Sequence, residues 1–148
     1  MWQIIISLKQ DRTQEGVLTV WTYSASLNKF IQQYSCPCLG HGDGGDWTHI
    51  NGDTPTGGWN GTIIGPGGTS PNDSLGVQNR IDLSSSYGNA YTAEHTYERS
   101  GFQIHGGRRN LEPPLYLTHG CIRVYEEDMP IIQQYLDDIS GTVRVDES

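Results

Sequence analysis

Residues 102–107 read Phe-Gln-Ile-His-Gly-Gly, and residues 118–123 read Thr-His-Gly-Cys-Ile-Arg. In the first stretch apolar and polar residues alternate up to His105, where the two glycines interrupt the pattern. This predicts a β-strand that ends at the histidine. The second stretch carries Cys121, and His105 has to reach it from a neighbouring strand. We therefore expect these two side chains to meet at one site.

Cysteine and histidine side by side are typical of nucleophilic catalysis. A cysteine attacks as the thiolate, so it needs an imidazole or another positive group that lowers its pKa or removes its proton. His119 shares a face with Cys121 on an extended backbone, so it and His105 are both candidates for this role. Gly120 allows the backbone to bend beside the thiol and to turn amide N–H groups towards a developing oxyanion. These residue types favour acyl transfer.

Outside this segment the sequence predicts a mainly β domain, antiparallel and sandwich-like or barrel-like. Residues 36–58 are rich in Gly, Asp, Pro and Thr and indicate a loop, and residues 65–100 have no clear pattern. The segments with the composition of strands are residues 2–8 and 17–23, which form a hairpin, and residues 30–34, 59–64 and 142–145.

One helix is clear from the sequence, and it lies in the C-terminal half. Asp128 is its expected N-cap, Pro130 is tolerated in the first turn, and Gly141 stands where a left-handed residue would end it. Its apolar face follows a 3.6-residue period and consists of Met129, Ile132, Tyr135, Leu136 and Ile139.

Length and charge restrict the possible functions. A chain of 148 residues fits one domain, which we expect to span residues 1–148. Nine basic and seventeen acidic residues give a net charge of −8, and no basic stretch could follow a phosphate backbone, so nucleic acid is not expected as a partner. No apolar stretch is long enough for a membrane span, and residues 2–8 resemble a strand rather than an export signal.

Three cysteines leave at least one thiol unpaired. Cys36 and Cys38 are separated only by Pro37, and a disulfide across so short a loop would be strained. We expect both thiols to be reduced or loosely redox-active. A structural metal site that uses them is the less favoured interpretation, because the spacing is shorter than in common zinc sites.

The pattern of residues 118–123, with a histidine upstream, resembles the L,D-transpeptidases of the YkuD type. In that family a histidine precedes [Ser/Thr]-His-Gly-Cys, a hydrophobic residue and Arg or Asn, and every position of this motif is matched here. Residues 106–117 form a spacer of twelve, slightly shorter than is usual in the family, as a trimmed loop would explain. Residues 52–57 are similar to the family's Thr-Pro-x-Gly turn. The resemblance covers most of the chain, except residues 65–100.

The resemblance implies a role for each residue of the motif. Cys121 would be the nucleophile and His105 the general base, and His119 and Gly120 would shape the catalytic site. The resemblance also implies three residues that bind the substrate. These are Arg123, which would contact a carboxylate, Thr118 and Gly106. The Gly106 carbonyl would also hold the base histidine.

The implied substrate is a peptidoglycan stem peptide. The family cleaves the bond between the L-centre of meso-diaminopimelate and the terminal D-alanine, and forms a thioester that an amine, water or a D-amino acid resolves. No metal or organic cofactor takes part. A bare domain of this kind without an export signal resembles wall-targeting type VI secretion effectors, which implies action in the periplasm or cell wall and a cognate immunity protein.

Two other functions are compatible with the sequence. His105, His119 and Cys121 could form a zinc site, with or without Cys38 as a fourth ligand. The chain could also be a catalytically silent module that binds the cell wall. Arg108 and Arg109 are interpreted as a solvated loop, with substrate steering as the less favoured alternative.

Overall fold

The chain forms eight β-strands and two short α-helices, and the computed structural model describes residues 1–148. In chain order the elements are β1 (Trp2–Leu8), β2 (Gly16–Ser24), β3 (Lys29–Leu39), β4 (Gly57–Ile64), β5 (Arg80–Tyr87), α1 (Asn89–His95), β6 (Gln103–His105), β7 (Ile122–Val124), α2 (Asp128–Gln134) and β8 (Ser140–Glu147).

The strands close into a barrel in the order β1-β2-β3-β7-β6-β5-β4-β8. Six of the eight pairings are antiparallel, whereas β1 with β8 and β6 with β7 are parallel. The mainly β prediction is therefore confirmed, and the architecture is a closed barrel rather than a sandwich. Closure gives every strand a neighbour on both sides, although β3 and β7 pair over only two residues.

Alternation along the strands fills the barrel interior. In β1 every second residue is buried, and Trp2, Ile4 and Ile6 are 0% exposed. Full burial of an aliphatic side chain of this size stabilises a fold by about 1.5–3 kcal/mol. Trp2 packs directly on β8, where a Cβ atom at Gly141 would lie 2.2 Å from the indole ring. Gly141 is thus a glycine because the Trp2 ring occupies the space of a side chain.

The predicted loop at residues 36–58 is wrong in its first part. Strand β3 continues to Leu39, and Cys36 and Cys38 point into the hydrophobic core. Pro37 is tolerated because β3 pairs with β7 only at Cys38 and Leu39, so most of this strand borders a gap on that side.

The predicted C-terminal helix is shorter than expected. It begins at Asp128, with Glu127 as the N-cap residue, and ends at Gln134. Met129 and Ile132 are buried as predicted, but Ile139 lies beyond the helix and is 64% exposed. Gly141 belongs to β8 and does not cap the helix.

The stretch without a sequence pattern, residues 65–100, contains strand β5 and the second helix, α1. Helix α1 has seven residues and buries only Ala90 and Ala93, which explains why no apolar periodicity revealed it. The structure therefore adds a second helix to the one that is clear from the sequence. No helix of the structure is both long and apolar enough to cross a membrane.

Candidate active site

The parallel pair β6 and β7 positions the predicted site. Ile104 lies opposite Ile122, and both belong to the hydrophobic core. Since successive side chains of a strand point to opposite faces, His105 and Arg123 point out of the barrel, and Cys121, one residue before Ile122, points the same way. The site therefore lies on the outer face of the barrel, under the loops that surround it.

These loops enclose a pocket of about 330 Å³ that contains both predicted catalytic side chains. Its walls come from three parts of the chain, the loops after β3 and β4 and the segment from β6 to β7. The lining residues are Asp43, Ser74, Leu75, His105, Arg108, Tyr116, Leu117, Thr118, His119, Cys121 and Arg123.

His105 is held in one defined orientation. It is 2% exposed, and its Nδ1 lies 2.7 Å from the carbonyl oxygen of Gly106. A carbonyl can only accept, so Nδ1 carries the proton. Burial lowers the pKa of His105 to about 4, which keeps the ring neutral and leaves Nε2 as an unprotonated base. The contact with Gly106 that the resemblance implied is confirmed.

Cys121 is half-buried at the pocket, and its Sγ donates to the Gly101 carbonyl over 3.3 Å. Burial raises the pKa of the Cys121 thiol, and the Gln103 N–H and nearby arginines oppose that rise. Both members of the pair are therefore neutral at rest. The resting site thus contains a thiol and a neutral imidazole and not a thiolate–imidazolium pair.

The turn before Cys121 is fixed by two threonines. The Thr118 hydroxyl donates to the Cys121 carbonyl over 2.8 Å and accepts the Gly120 N–H over 3.0 Å. The buried Thr54 hydroxyl donates to the Gly120 carbonyl over 2.6 Å. The expectation that the amides of this turn are free is thus wrong for Gly120. The role of Thr118 in substrate binding stays a prediction, since its hydroxyl is engaged within the turn.

Gly120 has to be a glycine for two reasons. Its φ is +115°, which side chains rarely adopt, and a Cβ atom there would lie 2.2 Å from Arg99 Nη2. Arg99 is 4% exposed and donates to three carbonyls of the loop after β3. Those carbonyls belong to Trp47, Gly52 and Asp53. Sequence reasoning missed Arg99, because it lies at the end of the unpatterned stretch and no motif surrounds it.

Arg123 is buried and holds the surrounding loops together. It is 2% exposed, and it donates to the carbonyls of Gly106, Tyr116, Leu117 and Ser74 over 3.3, 2.8, 3.0 and 2.6 Å. Burial lowers its pKa to about 10. Four of its five N–H groups are thus engaged by main-chain oxygens. Its predicted contact with a substrate carboxylate stays a prediction that depends on one remaining N–H.

His119 lies in a different environment from His105. It is 70% exposed at the pocket rim, and its Nδ1 lies 3.1 Å from Asp43 Oδ1. The structure therefore separates the two histidines that the sequence left as alternatives, one buried and oriented, the other exposed and paired with a carboxylate. Asp43 lines the pocket and is another residue that sequence reasoning missed.

Of the residues proposed for a zinc site, His105, His119 and Cys121 line one pocket, and only the optional fourth, Cys38, lies elsewhere. Cys38 points into the barrel interior, whereas Cys121 points out of it. No group of three or more His, Cys, Asp and Glu side chains is placed to hold a metal ion.

Comparison with known proteins identifies the fold. No protein-family model matches the chain, and no curated protein matches its sequence significantly. Its structure is similar to the helical cell shape determining protein Pgp2 from Campylobacter jejuni, with a TM-score of 0.64, 17% identity, and coverage of 99% of this chain and 48% of that chain. It is also similar to Bd1075 of Bdellovibrio bacteriovorus, with a TM-score of 0.61, 15% identity, and coverage of 97% and 47%.

This chain shares its fold with these two proteins. It spans about half the length of each, and at this level of identity the likeness extends to architecture alone.

Proposed function

We propose that this chain is a cysteine-dependent acyltransferase that acts on peptidoglycan stem peptides. The observation that carries the proposal is the buried, neutral imidazole of His105, oriented by the Gly106 carbonyl in the pocket that contains the Cys121 thiol. A base with a fixed tautomer beside a nucleophile is the arrangement that acyl transfer needs.

The proposed reaction has two halves. In the first, Nε2 of His105 takes the thiol proton while Cys121 Sγ attacks the amide carbonyl of the stem peptide, and the Cys121 N–H faces the oxyanion. The imidazolium then gives its proton to the departing amine of D-alanine, and a thioester remains. In the second half an amine, water or a D-amino acid attacks the thioester while His105 takes the proton of that nucleophile. The C–S bond then breaks, and the imidazolium returns the proton to the departing Cys121 sulfur. Gly120 N–H takes no part, because it is bonded to Thr118.

Two observations support the peptidoglycan stem as the substrate. The motif of residues 118–123 resembles that of the L,D-transpeptidases, and the fold is that of a protein described as determining helical cell shape. Bacterial cell shape depends on the wall, so an enzyme of this fold fits a wall substrate. The proposed place of action is the periplasm or cell wall, and the proposed role is that of a secreted antibacterial effector with an immunity partner.

The test is mass-resolved chromatography of purified stem tetrapeptides incubated with the protein. Loss of D-alanine, dimer formation and D-amino-acid exchange give different product masses and identify the acceptor. Cys121→Ala should abolish all three products, whereas Cys36→Ala is the matched control that removes a thiol from the core and should keep them. Full turnover by Cys121→Ala, or no reaction by the unaltered protein, contradicts the proposal.

The effector role has its own test. Export of the unaltered protein into the periplasm of a host bacterium should damage the cells, and export of the Cys121→Ala variant should not. Cytoplasmic expression should be harmless in both cases. Equal growth of the two exporting strains would remove the effector role without affecting the enzymatic one.

A further inference from the structure

Two arginines, Arg108 and Arg123, line the pocket, and a third, Arg99, lies beside the turn before Cys121. Most N–H groups of Arg99 and Arg123 are engaged by the protein itself. Arg99 and Arg123 are both almost completely buried and donate to main-chain carbonyls of the loops. A guanidinium in that position fixes the backbone and has little capacity for a ligand. The pocket therefore needs another group if it is to bind a carboxylate firmly.

Arg108 is the remaining guanidinium of the pocket. It is exposed, and its side chain forms no hydrogen bond and no ion pair. Its guanidinium carbon lies 5.4 Å from the centre of the Tyr116 ring, and such a contact restrains the side chain while its N–H groups stay available. The adjacent Arg109 differs, because it is paired with Glu127 and does not line this pocket.

The backbone at Arg108 is held in an unusual conformation. Its φ is +56°, directly after Gly107 at +97°, and its N–H donates to the Asp73 carbonyl over 3.1 Å. A residue with a side chain in the left-handed region costs free energy and persists where the surroundings impose it, often at functional sites. Arg108, three residues after His105 in the chain, adopts this conformation where it lines the same pocket as His105.

A carboxylate group, Asp43, stands at another part of the pocket lining. It accepts a hydrogen bond from His119 through Oδ1, and its other oxygen makes no hydrogen bond with the protein. A second carboxylate near Asp43 would be repelled, and one near Arg108 would be attracted. The pocket lining thus contains one charged group that attracts anions, Arg108, and one that attracts cations, Asp43.

We infer that Arg108 is the residue that binds a carboxylate of the substrate, and that Arg123 positions the loops. This rests on the proposed function for the class of substrate, which is a stem peptide with carboxylates at the terminal D-alanine and at the D-centre of diaminopimelate. Guanidinium offers two parallel N–H groups to either carboxylate.

The experiment measures binding in a protein that cannot acylate. In the Cys121→Ala background, calorimetric titration with a diaminopimelate tetrapeptide should show a loss of affinity of roughly 10- to 100-fold for Arg108→Gln, the range for a hydrogen bond between charged groups. Arg108→Lys should recover part of it. Arg109→Gln removes the same charge one residue away and should leave affinity within about 2-fold.

Two altered peptides identify the carboxylate. A tetrapeptide with a C-terminal amide lacks the carboxylate of D-alanine, and one with L-lysine in place of diaminopimelate lacks that of the D-centre. The penalty of Arg108→Gln should vanish with one of these peptides and persist with the other. Because the Arg108 side chain is exposed and forms no hydrogen bond, and its only ring contact is with Tyr116, its variants should unfold within a few degrees of the parent.

An equal affinity of Arg108→Gln and Arg109→Gln for all three peptides would overturn the inference, and so would the absence of measurable binding by the Cys121→Ala parent. Failure of the proposed function is a separate result. It would appear as the absence of a thioester on Cys121 in the unaltered protein, whatever the affinities are.

Discussion

The two faces of the barrel wall give cysteine two different environments. Cys36 and Cys38 point inwards among apolar side chains, and Cys121 points outwards into a polar pocket. Burial raises the pKa of Cys36 to about 12 and raises that of Cys38 still further above its usual range. Burial also raises the pKa of Cys121, although the Gln103 N–H and neighbouring arginines oppose the rise.

The comparison shows that a resting thiolate does not distinguish the site cysteine. What distinguishes Cys121 is access from the pocket and the presence in that pocket of His105, whose Nδ1 is committed to Gly106. The two inner cysteines have neither, since they are 5% and 0% exposed and share the core with aliphatic side chains.

The largest expected difference is in alkylation of the native protein. Iodoacetamide should modify Cys121 at least several thousand-fold faster than Cys36 or Cys38, because the inner thiols react only after the barrel opens, at a cost of about 5 kcal/mol or more. Peptide mapping by mass spectrometry measures the three rates. Comparable native labelling at Cys36 or Cys38 would break the comparison.

The next effect concerns the base. His105→Ala should slow acylation of Cys121 by about 10²–10⁴-fold, the usual worth of general-base assistance. The loss should shrink as pH rises and the thiol ionises by itself, an effect that a purely structural defect would not produce. A carbapenem supplies a single-turnover readout by intact mass. His119→Ala is the comparison variant, and an equal or larger loss there would transfer the role of base to the exposed histidine.

The sequence is informative where local pattern and local chemistry agree. Alternation predicts β1, β2 and the strand that ends at His105, and the motif around Cys121 predicts the residues that share the pocket. The roles of these residues in the site stay predictions, whereas the structure shows that the residues line one pocket.

The sequence does not reveal features that depend on contacts between residues far apart in the chain. Neither the parallel pairing of β6 with β7 nor closure of the barrel leaves a local signal, since both depend on contacts between distant segments. The same holds for Arg99 and Asp43, which reach the site from separate loops. The inner position of Cys36 was missed because Pro37 and the following glycines indicate a loop.

The pH dependence of acylation sharpens the comparison further. With the pKa of His105 at about 4, the base stays unprotonated down to that pH, so the rate should fall below about pH 4 and not near 6.5. Stability should change at higher pH than the rate, between about 6.5 and 4. The unfolded chain takes up the proton from pH 6.5 downwards and the folded protein only near 4, so stability falls as pH drops, by roughly 3 kcal/mol in all. An acid limb centred near 6.5 would mean that His105 is solvated or is not the base.

The smallest expected effect is on the free energy of unfolding. Here a substitution at Cys38 should have a larger effect than one at Cys121, the reverse of the order expected for alkylation. Cys38→Ser places a hydroxyl in an apolar core without an acceptor, which should cost about 1–3 kcal/mol in the free energy of unfolding. Cys121→Ser keeps the Gly101 carbonyl as a partner in the pocket and should change it by less than about 0.5 kcal/mol. Urea denaturation of the two variants measures both, provided that their m-values agree with that of the parent protein. Equal destabilisation would show that Cys121 contributes to the fold as much as Cys38 does, and that the outer face of β7 is packed as tightly as the inner one.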